Sequence, residues 1–85
     1  MSELKWSFIK SERLKKVRGV SFEEILEARL LCVKTHPKQV HQSIMLFWYR
    51  GYVWVVPFVE EGEIVFLKTL YPSRKYTKIF QRGEL

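Results

Sequence analysis

Two apolar runs set against one another constrain this chain more than any other feature. Residues 40–50 and Tyr52 to Val59 are rich in β-branched and aromatic side chains. Arg50-Gly51 separates them, the kind of pair that closes a tight hairpin. Glu60-Glu61-Gly62 is a second turn signal and leads into a further strand over 63–71. Three or four antiparallel strands in a meander follow. Pro57, lacking an N–H inside a central strand, predicts a bulge or a position without a ladder partner. Ile64 to Leu67 suits a strand covered on both faces, and Pro72 is expected to end the pairing.

Upstream the spacing turns helical. Residues 4–9 (Leu4, Trp6, Phe8, Ile9) read as a short edge strand or an extended lead-in, with Trp6 and Phe8 on one side. Residues 10–18 predict a short basic helix with Leu14 and Val17 inward and Gly19 as its C-cap. Ser21 with Glu24 forms a capping box, and Val20 can staple against Ile25. Phe22, Ile25, Leu26 and Leu30 fall on one face of the helix this box begins. Leu30 to Lys34 can leave that helix as a strand, before a polar turn at residues 35–39. Ser73 caps a closing helix over 73–82 that Gly83 ends. The expected class is α+β in one domain, 1–85. It has two N-terminal helices, a three- to four-stranded antiparallel meander sheet and a C-terminal helix, with helices over one face.

Composition narrows the functional classes. A chain of 85 residues buries only about 60–65% of its unfolded surface, so its core must be dense. A 47% hydrophobic, 15% aromatic composition supplies that core and excludes a disordered chain. Cys32, the single cysteine, leaves no internal disulfide and fits a reducing compartment. The longest apolar runs are too short to span a bilayer, and no apolar leader follows Met1, so a soluble cytoplasmic protein is expected. A net charge of +6 points to a polyanion or an acidic protein as partner.

Positive charge gathers near the C-terminus. Between Lys68 and Arg82 there are five basic residues and no acid. Cations at the start of a helix add to the positive end of its dipole, which costs stability unless an anion sits there. A phosphate is the natural anion. Arg74 is the first candidate for a phosphate clamp, because its planar fork matches phosphate oxygens. Lys75 and Lys78 can assist it, and Lys68 interrupts an apolar strand nearby. Tyr71 and Tyr76 offer phenols for proton donation or base stacking. Lys10, with Arg13, and Arg50 extend the basic surface. His36 and His41 flank a proline loop far in sequence from this cluster, and with Cys32 they match no standard zinc spacing. Metal and cofactor are not expected.

Two stretches resemble the signatures of the BrnT family of toxins. One is Trp6-x3-Lys10 followed by Gly19-Val20-Ser21-Phe22-Glu23-Glu24; the other is Ser73-Arg74-Lys75-x-Thr77 after a strand. The resemblance implies a RelE-like fold and a metal-independent endoribonuclease toxin of a type II toxin–antitoxin pair. It further implies an RNA substrate, blocked translation, and a hetero-oligomer with a cognate DNA-binding antitoxin. The chain departs from the family pattern at Ser7, Leu14, Arg18 and Tyr76. The basic surface alone fits two other readings: a module that binds RNA or ribosomes without cutting, and a basic subunit that docks an acidic protein segment.

Overall fold

The computed structural model describes residues 3–85. Its centre is the expected hairpin, formed by β3 (Ser43–Tyr49) and β4 (Tyr52–Glu61). Their register runs from Tyr49↔Tyr52 at the turn to Ser43↔Phe58. Arg50 and Gly51 have φ of 52° and 75°, the two positive angles a type I′ turn demands. β2 (Arg29–Thr35) lies antiparallel on β3, while β5 (Ile64–Leu67) and β6 (Tyr71–Ser73) both pair with β4. The sheet is not a pure meander. β1 (Glu3–Lys5) runs parallel to β5 at one edge, and the order is β1-β5-β4-β3-β2.

The strand expected over 63–71 is broken in two, and Pro57 explains the break. Phe58 pairs with Leu67 and Val55 with Tyr71, so Val56 and Pro57 face Lys68, Thr69 and Leu70. Pro57 accepts a bond from Lys68 N at 2.8 Å. A strand residue points its N–H and C=O to the same side, so the missing proline donor falls where the extra residue sits. The bulge forecast at Pro57 is present. Pro72, by contrast, does not end the pairing, since it lies in β6 opposite Trp54. Trp54 turns its own backbone groups toward β3, so the absent N–H of Pro72 costs no ladder bond.

Helices cover both faces of the sheet, not one. α1 (Phe8–Arg18) and α2 (Phe22–Ile25) lie on the face carrying Phe47, Trp54, Val56, Phe58, Val65 and Leu67, where Leu14, Val20, Phe22 and Ile25 complete the core. α3 (Arg74–Gln81) covers Ile44, Leu46, Val53 and Val55 on the other face, through Tyr76 and Phe80. Local signals set the helix ends. Ser7 caps α1, which draws Phe8 and Ile9 out of the expected strand and into the helix. Gly19 closes α1 in the left-handed conformation at φ 79°.

The capping box at Ser21 and Glu24 is formed, but α2 stops after four residues. Leu30 therefore belongs to β2 and is exposed. Nor is Val17 inward. α1 buries only Ser11 and Leu14, and at 3.6 residues per turn Val17 drifts off that stripe to 73% exposure. Among the described residues, no helix is long and apolar enough to cross a membrane.

Candidate functional site

The junction of β6 and α3 positions the basic cluster. Ser73 caps α3 as expected, its Oγ accepting from Tyr76 N at 3.1 Å. Thr77 is the buried residue of this helix. Its hydroxyl donates to Ser73 O at 2.6 Å and accepts from Val53 N at 2.9 Å. The first amide of β4 that points toward β6 is thus satisfied by α3. Two short bonds lock the helix start to the sheet and leave Arg74 and Lys75 on the outside.

Arg74 opens into a hollow of about 480 Å³ lined by Arg50, Tyr52, Trp54, Pro72 and Arg74. The β3–β4 turn contributes Arg50, whose guanidinium carbon lies 4.9 Å from the centre of the Tyr49 ring. Trp54 is fixed by a bond from Nε1 to Tyr49 O at 3.2 Å. The hollow has aromatic and proline walls, and two arginines line it. Neither arginine has an ion pair among the described residues, where the three pairs are Lys5–Glu3, Lys15–Glu24 and Arg82–Glu84. Arg50 also borders a neighbouring hollow with Glu24, Glu27 and Tyr49. In the Arg74 hollow, two arginines without an ion pair among the described residues line one aromatic-walled concavity, which suits a phosphate with a base stacked beside it.

The remaining candidates do not share that concavity. Lys68 lines a different hollow with Lys5, Val59, Glu61, Ile64 and Phe66, and its Nζ rests 5.7 Å from the centre of the Phe66 ring. Tyr71 packs with Tyr76 and Phe80 on the α3-covered face, because side chains alternate along β6 and Pro72 takes the other face. Burial, then the neighbouring Tyr76, pushes the Tyr71 phenol above its usual range, and the Arg18 charge opposes this. Lys75 and Lys34 both stand 5.7 Å from the centre of the Tyr76 ring. Lys78 is exposed on α3 and Lys10 on α1.

Tyr52, one of the aromatics the apolar strands were expected to offer for base stacking, and Trp54, which also packs in the core, line the hollow, whereas Lys34 was not anticipated. No local signal places Tyr52 and Trp54 beside Arg74, because the register Trp54↔Pro72 does so. Lys34 on β2 stands apart from the hollow, over the Tyr76 ring. His36 is occupied in its loop, with Nδ1 accepting from the backbone N of Lys38 and of Gln39. No group of three or more metal-ligating side chains lies together among the described residues.

No family model matches the chain, and no curated protein sequence matches it. A solved structure does. The crystal structure of the Brucella abortus ribonuclease toxin BrnT aligns with 86% of this chain and 97% of its own length, with a TM-score of 0.56 at 15% identity. The chain's fold is similar to that of BrnT. At that identity the likeness shows architecture: an α+β arrangement of three helices on a mixed sheet.

Within that fold, the two stretches that resemble BrnT signatures do different work. The N-terminal one is structural. Trp6 packs on Phe22 with ring centroids 6.3 Å apart, and Gly19 ends α1. Ser11 Oγ donates to Glu23 at 2.5 Å and accepts from Phe22 N at 3.0 Å. Chiefly through that Ser11 bond, the Glu23 carboxyl is held below its usual range. Glu24 is pulled down to about 2, first by its bond from Lys15 and then by the Ser21 backbone. Arg18 donates to Leu70 O and ties α1 to the link between β5 and β6. In the C-terminal stretch Ser73 and Thr77 are structural, and Arg74 and Lys75 have no ion pair among the described residues.

Proposed function

We propose that this chain is a metal-independent endoribonuclease toxin of a type II toxin–antitoxin pair, which cleaves RNA at the Arg50–Arg74 hollow and so inhibits translation. The observation that carries the reading is the pair of arginines, neither ion-paired among the described residues, that line one aromatic-walled hollow on a fold similar to that of a ribonuclease toxin. Cleavage of this kind joins the 2′-oxygen to phosphorus and breaks the bond to the 5′-oxygen. The ends left are a 2′,3′-cyclic phosphate and a 5′-hydroxyl. Arg74 neutralises the phosphorane oxygens, Arg50 grips the same or the adjacent phosphate, and Tyr52 stacks on a base. Lys75, Lys78 and Tyr76 continue the contact along α3, and Lys10 extends it on α1. Lys68 and Tyr71, facing other surroundings, lie outside this catalytic arrangement. In the cell, a single toxin-like domain held by a cognate DNA-binding antitoxin completes the reading.

One observation favours a second reading, binding without cutting. None of the residues lining the hollow is an acid or a histidine, so no side chain there is a ready base at neutral pH. The test is to incubate the purified chain with single-stranded RNA in the presence of a chelator. Wild type is expected to release 2′,3′-cyclic phosphate ends, Arg74→Ala to release them about 10²–10³-fold more slowly, and Lys68→Ala to cut normally. An all-deoxy strand should bind yet stay intact. RNA that is bound and remains whole selects the second reading.

A further inference from the structure

The outer edge of β2 is open. β2 ends the sheet order and pairs only with β3, so alternate backbone N–H and C=O groups along Arg29–Thr35 face outward. On one face of this edge, Leu30 and Val33 are 51% and 55% exposed, opposite Phe47 and Met45 of β3. Both stand outside the two buried clusters. On the other face Arg29 and Lys34 stand opposite Trp48 and Ile44. Arg29 lies over the Phe80 ring and Lys34 over the Tyr76 ring, where Lys75 joins it. Neither cation has an ion pair among the described residues, and neither β2 nor β3 carries an acid. The edge therefore offers three things together: an unfinished ladder, an apolar row on one face and a cationic row on the other.

We propose that this edge receives an extended acidic segment of a partner protein, which adds to the sheet beyond β2. Its apolar side chains would cover Leu30 and Val33, and its carboxylates would meet Arg29 and Lys34. A second copy of the chain fits less well. The antiparallel pairing that sets Leu30 of one copy opposite Val33 of the other also sets Arg29 opposite Lys34, like charge against like. A polynucleotide has neither peptide groups to complete the ladder nor an apolar row for Leu30 and Val33. The inference stands apart from the cleavage reading, since no β2 residue lines the Arg50–Arg74 hollow.

The probe is a labelled synthetic peptide of about nine alternating Glu and Val residues, a usual strand length. Controls are its analogue N-methylated at every second residue, a Lys–Val peptide and an oligouridylate. Binding to the whole chain is followed by fluorescence anisotropy. The Glu–Val peptide should saturate. N-methylation, and separately the double substitution Leu30→Glu with Val33→Glu, should each weaken it by at least about tenfold. The Lys–Val peptide should not bind. Amide exchange on the unsubstituted chain should slow along β2 when the Glu–Val peptide is added, which keeps the test alive if the double variant fails to fold. Equal binding of the N-methylated peptide, or no added protection in β2, overturns the proposal. So does a dimer of the chain that the double substitution abolishes, or displacement of the peptide by oligouridylate. Loss of RNA cleavage with peptide binding intact would sink only the preceding reading.

Discussion

The corner between α1 and α2 and the junction between β6 and α3 both carry signature-like residues, and they use them in opposite ways. At the corner, Trp6, Gly19, Ser21, Glu23 and Glu24 are all taken up by packing, capping or hydrogen bonds. Acids and cations there neutralise one another, as in the Lys15–Glu24 pair at 2.9 Å. At the junction only Ser73 and Thr77 are so engaged. Arg74 and Lys75 are left as exposed cations with no carboxylate in reach among the described residues. Residues that recur together need not share a job. Apart from Trp6 Nε1, which is buried without a hydrogen-bond partner, the polar groups of the corner are engaged, whereas the cations of the junction have no carboxylate in reach among the described residues.

The sharpest challenge to this contrast is removal of Phe22, which is fully buried under the corner. Phe22→Ala should lower stability by about 3–5 kcal/mol in urea unfolding. A cost near zero would mean the corner is not structural at all. Next comes Arg74→Ala, expected to slow RNA cleavage by about 10²–10³-fold while leaving the unfolding free energy within about 0.5 kcal/mol. Thr77→Val should sit between the two behaviours. It strands the buried Val53 N–H and should cost about 1–3 kcal/mol of stability, with cleavage per folded molecule unchanged.

Acid titration probes the corner more gently. The folded pKa of Glu24 lies below its ordinary value of 4.5, so the stabilisation is full above that pH and is lost as pH falls toward about 2. Glu23 shifts in the same direction. Thermal unfolding followed by circular dichroism should show the melting temperature falling across that window, less steeply in Lys15→Met. Lys68→Ala is the smallest change, within about 0.5 kcal/mol in stability. Abolished cleavage in that variant would return Lys68 to the site and break the assignment to the Arg50–Arg74 hollow.

Much of the fold was legible because its signals are local. Gly19, the Ser21–Glu24 box, Arg50-Gly51 and Ser73 each act within a few residues of themselves. What failed depended on distant segments. The box at Ser21 starts a helix but cannot say how long it runs, because pairing with β3 draws Arg29 and Leu30 into β2 after one turn. The parallel pairing of β1 with β5 joins residues some 60 positions apart, Glu3↔Ile64 to Lys5↔Phe66. Helices on both faces follow from where α3 lands, and nothing in its own residues states that. For the candidate site, Arg74 could be chosen from its charge and its place beside a cap. Its companions could not, since Lys68 is nearer in sequence than Arg50 yet lines another hollow.

By itself, then, the amino-acid order determined where turns and caps lie, which runs are apolar, and that cations cluster near the C-terminus. These depend on backbone angles and side-chain chemistry over a few residues. Tertiary structure alone decided which cations line the same hollow. One extra residue opposite Pro57 shifts the register between β4 and the strands beside it. That shift places Pro72 against Trp54 and brings Arg74 to Arg50, while Lys68 and Tyr71 face elsewhere. Register has a period of two, so a single inserted residue chooses the face on which every later side chain appears.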